Sequence, residues 1–144
     1  MRILVGAVLS LIAFETGDFK YNINHYPVRA GQGTRNMQMP DFNLEYALSI
    51  PALKGQVQAI TSATTTTAGL TDSQLNAIRA LVLPDQYSWG SAAWFLTTKC
   101  ASIRPTLRAG GQAGLNAYLG CVGTTATSDR LAYWNRANAA FGLS

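Results

Sequence analysis

Apolar and polar positions along the chain fall into blocks of helical period, separated by breaks rich in Gly, Pro and Thr. The first block is the greasiest. Ile3, Leu4, Ala7, Val8, Leu11 and Ile12 recur at i, i+1, i+4 and i+5, which predicts a helix over 3–14. Val5 and Leu9 make it apolar nearly all round, as in a helix buried on all sides, and Gly17 stops it. Residues 17–40 are rich in Gly, Asn, Pro and Tyr and predict loops with a short hairpin within 19–38. "DFNLEYALSI", 41–50, reads as a helix with Asp41 as its N-cap. Pro51 opens another over 51–60, at the helix position that tolerates proline. A polar link, 61–69, leads to "TDSQ", a capping box in which Thr71 caps and Gln74 reaches back. That helix runs to about Leu83 and ends before Pro84. "YSWGSAAWFLTTKC", 87–100, predicts a buried helix from about Ser88. Short helices near 105–109 and 111–120 follow, and Ser128 caps a last one over 129–141. The expected class is all-α with a very small β element, in a single domain over 1–144.

Composition narrows the class. Of 144 residues, 48% are apolar and 12% charged, against roughly 25% charged in an average soluble chain. Disorder is thereby excluded. Thr, Ser, Asn, Gln and Gly must supply the polar surface, a composition common in secreted proteins. Eleven basic and seven acidic residues give a net charge of +4. The basic residues stand singly, without the clustered footprint that nucleic-acid binding needs. Mild basicity also suits a polyanionic cell wall. Cys100 and Cys121 match no metal spacing; a single disulfide is the expectation and two buried thiols the alternative. With His25 as the one histidine, no metal site and no cofactor is expected. The apolar start is too short to span a bilayer, and Leu11 stands where a cleavage site prefers a small residue. No membrane partner is expected, any secretion leader would lie upstream, and a monomer is the expected state.

The chemistry concentrates at "AFETGDFKYN", 13–22, where Glu15 closes the apolar helix. A helix C-terminus disfavours a carboxylate, and apolar surroundings desolvate it. Both effects raise a carboxyl pKa, and an acid still protonated near neutrality can protonate a leaving oxygen. The alternative is a buried glutamate satisfied by backbone or by an arginine. Asp72 and Asp129 sit in helix first turns and read as structural.

"SLIAFETGDF" resembles the Glu-Ser/Thr-Gly motif of the lysozyme superfamily, the soluble lytic transglycosylases and goose-type lysozymes above all. "GTRNMQMPD", 33–41, is similar to their Gly-Leu-Met-Gln motif, with Asn36 in place of leucine. "GSAAWFL" and "NAYLG" are weaker echoes in the right order, and "RNMQMPDFNL" with "GSAAWFLTTKC" resembles a fungal muramidase family whose catalytic domain accompanies a wall-binding domain. The resemblance implies a lysozyme-like helical fold around a buried central helix. It implies a secreted muramidase acting on peptidoglycan glycan strands, with an upstream wall-binding domain in the full-length protein. Glu15 would be the general acid, with Asp41 or Asp18 positioning water. Met37 and Gln38 would shape the sugar floor, Asn36 would offer an amide hydrogen bond to it, and Tyr118 would contact the acid or an N-acetyl group. Tyr21 and Tyr26, in the loop after the helix, offer flat faces for a sugar. A lytic transglycosylase, a chitinase- or chitosanase-like enzyme, and a non-catalytic glycan-binding or effector domain are the competing readings.

Overall fold

The computed structural model describes residues 1–143 and divides the chain into two compact units. One comprises Met1–Phe19 with the chain from Ala92 onward; the other is Lys20–Ser91.

In the first unit, α1 (Arg2–Glu15) lies along α9 (Ser128–Ala140) and also meets α7 (Arg104–Ala109). α6 (Ser91–Thr98), a single 3-10 turn at 101–103 and α8 (Gly111–Cys121) complete it. Leu11, Ile12, Leu96, Leu107, Leu115, Tyr118 and Trp134 are each at most 5% exposed and form its core. Each such aliphatic side chain contributes about 1.5–3 kcal/mol by leaving water. Cys100 and Cys121 form a disulfide that ties the end of α6 to the end of α8. The start of α1 is less enclosed than its composition predicts, because Val5 reaches the surface.

In the second unit, an antiparallel hairpin of β1 (Ile23–His25) and β2 (Val28–Gly33) turns at Tyr26-Pro27. Behind it stand α2 (Pro40–Ser49), α3 (Pro51–Thr61) and α4 (Asp72–Val82), followed by the single turn α5 (Asp85–Ser88). Leu44, Ala47, Leu53, Val57, Ile78 and Val82 form this core. β2 crosses α4 closely. Gly31 has φ +74°, and a Cβ there would lie 2.8 Å from Pro40 Cβ and 3.0 Å from Leu75 Cβ, so only glycine fits.

The mostly helical class with one small hairpin is as the periodicity predicts. The Thr71 capping box forms as read, with Gln74 N donating to Thr71 Oγ1 and Thr71 N to Gln74 Oε1 at 2.9 Å. Three boundaries differ. Met39, not Asp41, is the N-cap of α2, since Pro40 is pre-set for the first helical position and pushes the aspartate into the first turn. Thr127, not Ser128, caps α9. The expected continuous helix over 88–100 is interrupted at Gly90, where a Cβ would meet the Tyr46 hydroxyl at 2.9 Å.

Candidate functional site

Glu15 is the last residue of α1, as read from the sequence, but it is not a lone carboxyl. Arg130, in the first turn of α9, donates from Nη2 to Glu15 Oε1 at 2.7 Å. The pair is largely covered, with side-chain exposures of 12% for Arg130 and 25% for Glu15. A charge-assisted bond of this kind offsets the unfavourable helix end. The arginine partner named as the alternative for this glutamate is present.

Arg130 also stacks on Phe14, its guanidinium carbon 4.0 Å from the ring centroid. Phe14 meets Tyr133 edge-on at 5.5 Å, and the Tyr133 hydroxyl donates to Asp18 at 3.2 Å. Arg136 closes the row, bonded to Asp18 and lying 4.4 Å over the Tyr133 ring. Its bond to Asp18 holds the guanidinium pKa above its usual value. Cations and rings thus alternate from the end of α1 along one face of α9. Arg130, Tyr133 and Arg136 were not singled out as site residues from sequence. Their spacing of i, i+3, i+6 on a predicted helix was the available signal.

Tyr118 is 1% exposed and its hydroxyl has no hydrogen-bond partner among the described residues. Burial pushes the phenol well above its ordinary value. It presents no open ring face to a ligand, which corrects its expected part in substrate contact. Tyr118 shares the buried face of α8 with Leu115 and Leu119, and that inward position decided where it went.

The second motif lies in the other unit and builds a buried polar staple. Gln38, 5% exposed, donates to Asn43 Oδ1 at 2.7 Å, and Asn43 donates to Gly31 O at 2.7 Å. Gln32 Nε2 holds Met37 O at 3.0 Å, and Asn36 Nδ2 reaches Gln38 Oε1 at 3.4 Å. Thr34 and Met37 both take positive φ, +69° and +47°, a strained pair for non-glycine residues. Thr34 Oγ1 and Asn36 Oδ1 are buried without partners among the described residues. Gln38 is committed to the fold, whereas Met37 and Asn36 are half-buried. Asp41 is exposed and accepts from the Thr67 hydroxyl. Tyr21 and Tyr26 are exposed, at 55% and 93%. Asp85 pairs with Arg35 at 3.2 Å, and Arg35 lies 4.6 Å over Trp89.

The donors suited to a metal are sparse. His25 is exposed on the hairpin, both cysteines are joined, and among the described residues no three His, Cys, Asp or Glu side chains come together.

No family model matches the chain, and no solved structure matches it. The chain is similar to a bifunctional dioxygenase (DOX)-epoxy alcohol synthase (EAS) of Fusarium oxysporum (strain Fo5176). The two are 47% identical over 141 residues, which are 96% of this chain and 11% of that protein. The chain therefore spans about a tenth of the length of the curated relative it matches. This finding overturns the muramidase expectation. The relative's name joins an oxygenase to an epoxy alcohol synthase, and neither a glycosidase nor a peptidoglycan partner figures in it. The glycan-directed alternatives fall with it. Two short motifs carried that reading, and such motifs record local backbone needs, a helix end and a strained turn, as readily as a reaction.

Proposed function

We propose that this chain is a helical accessory module of a larger fungal protein of the dioxygenase–epoxy alcohol synthase kind, and that the oxygen chemistry takes place outside it. The carrying observation is the match itself, which covers nearly all of this chain and about a tenth of the relative. The donor set supports the division of labour. A metal-held oxygen site needs several convergent His, Cys or carboxylate ligands, and the described residues bring no such group together. They do not fit such a centre, and no step of the chemistry is assigned to them. The Cys100–Cys121 disulfide supports operation in an oxidising compartment, consistent with secretion.

The test compares three proteins: the full-length Fusarium relative, the same protein lacking the matched segment, and this chain alone. An alkene-bearing substrate of the Fusarium relative serves as the probe, because an epoxide made with dioxygen requires an alkene. Dioxygen consumption and epoxy alcohol formation should persist in the shortened protein and be absent from this chain. Dioxygen uptake by this chain alone would refute the proposal. So would loss of both activities from a shortened protein that still folds.

A further inference from the structure

The hairpin tip is the most exposed apolar feature of the Lys20–Ser91 unit. His25, Tyr26, Pro27, Val28 and Arg29 are all exposed, Tyr26 at 93% and Val28 at 82%. Tyr21, 55% exposed, lies at the same end, its ring 6.1 Å from that of His25. The tip is held, not loose. Asn24 Nδ2 donates to Pro27 O and to Gln32 Oε1, both at 2.7 Å, and Tyr26 N donates to Asn24 Oδ1 at 3.2 Å. Its base is fixed to α4, where Gly31 N donates to Asn76 Oδ1 at 2.9 Å and Arg79 donates to Gln32 O at 3.2 Å. Water is thus left against a tyrosine and a valine on a rigid projection that makes no use of them inside the unit.

Charge says what would cover them. From Lys20 to Pro40 the sequence holds no acidic residue; exposed Arg29 directly follows Val28 at the tip and donates to Met39 Sδ at 3.1 Å, and exposed Lys20 precedes Tyr21. An amphipathic ring and an aliphatic side chain beside a cation, on an acid-free segment, match a lipid–water boundary with anionic headgroups. We propose that this hairpin tip docks the module on an anionic lipid surface, with Tyr26 and Val28 entering the headgroup boundary and Lys20 and Arg29 on the phosphates. No spanning segment is needed. The expectation of no membrane partner rested only on span length, and no helix among the described residues is long and apolar enough to cross a membrane. The inference does not depend on the accessory-module reading.

Cosedimentation of the whole chain tests it, with phosphatidylcholine vesicles containing or lacking phosphatidylserine. Binding to the phosphatidylserine vesicles should fall with added salt and be much weaker to phosphatidylcholine alone. The double substitution Tyr26→Ser/Val28→Ser should weaken it by about tenfold or more. Arg29→Gln should weaken it by about fivefold. Thermal melting of these variants should match the wild type, since the altered side chains face water. Absence of binding to phosphatidylserine vesicles overturns the proposal. Equal binding by the double variant overturns it, as does equal affinity for both vesicle types. Capture by a protein surface while vesicles remain unbound reassigns the tip to a protein partner and overturns it too.

Discussion

Replacing Tyr118 with phenylalanine removes one oxygen from the middle of the first unit and changes little else. The ring is 1% exposed and stays where it is, so the apolar area buried is the same. What goes is a buried hydroxyl that no group among the described residues bonds. A buried unsatisfied polar group costs about 1–3 kcal/mol. Tyr118→Phe should therefore stabilise the protein by about 1 kcal/mol or more. For a chain of this size that corresponds to roughly 3 °C in Tm. The pH dependence supplies a second readout. Burial raises the phenol pKa in the folded state above its ordinary value of 10.0. Above about pH 10 the unfolded chain releases this proton and the folded chain keeps it, so stability present below that pH is lost as pH rises. The loss approaches about 1.4 kcal/mol per pH unit from this group. Tyr46, raised by burial and then by Tyr87, acts in the same direction. Guanidinium titrations of wild type and variant at neutral pH and above pH 10 measure both effects. Destabilisation by more than about 1 kcal/mol at neutral pH would refute the reasoning, because it would mean that the hydroxyl has a partner of real strength.

Other outcomes follow from the same structure. A double-mutant cycle on Glu15→Gln and Arg130→Met should give a coupling of about 1–2 kcal/mol, below that of a fully buried pair because both side chains keep some exposure, and additive single effects would show that the pair does not form in solution. Gly31→Ala should destabilise by roughly 2 kcal/mol or more in a denaturant titration, since it forces a Cβ into Pro40 and Leu75 at φ +74°. Replacing Cys100 and Cys121 together by serine should cost about 3 kcal/mol, the loop-closure value for a sequence separation of 21, read as a lowered denaturation midpoint relative to the oxidised wild type. Thr71→Ala, which removes the capping box of α4, should cost about 1 kcal/mol by the same measurement.

Much of the helical frame was legible along the chain because its causes are local. The 3.6-residue apolar period set α1, the Thr71–Gln74 box set the start of α4, and Pro51 occupies a first-turn position where a missing N–H costs nothing, although the same role of Pro40 was passed over in favour of Asp41. Glu15 was marked as unusual for a local reason too, a carboxylate at a helix end. Its partner was not legible, since Arg130 lies 115 positions away and only the lengthwise contact of α1 with α9 brings the two together. The same holds for Gln38 and Tyr118. A glutamine and a tyrosine in short motifs looked like ligand contacts, yet Asn43 and Gly33 claim the first and burial closes over the second. Sequence by itself determined where the chain turns helical and where it must bend, through backbone freedom and apolar period. Tertiary structure alone decided which polar groups are satisfied and which stay exposed, because distant elements must close on one another before any side chain acquires its neighbours.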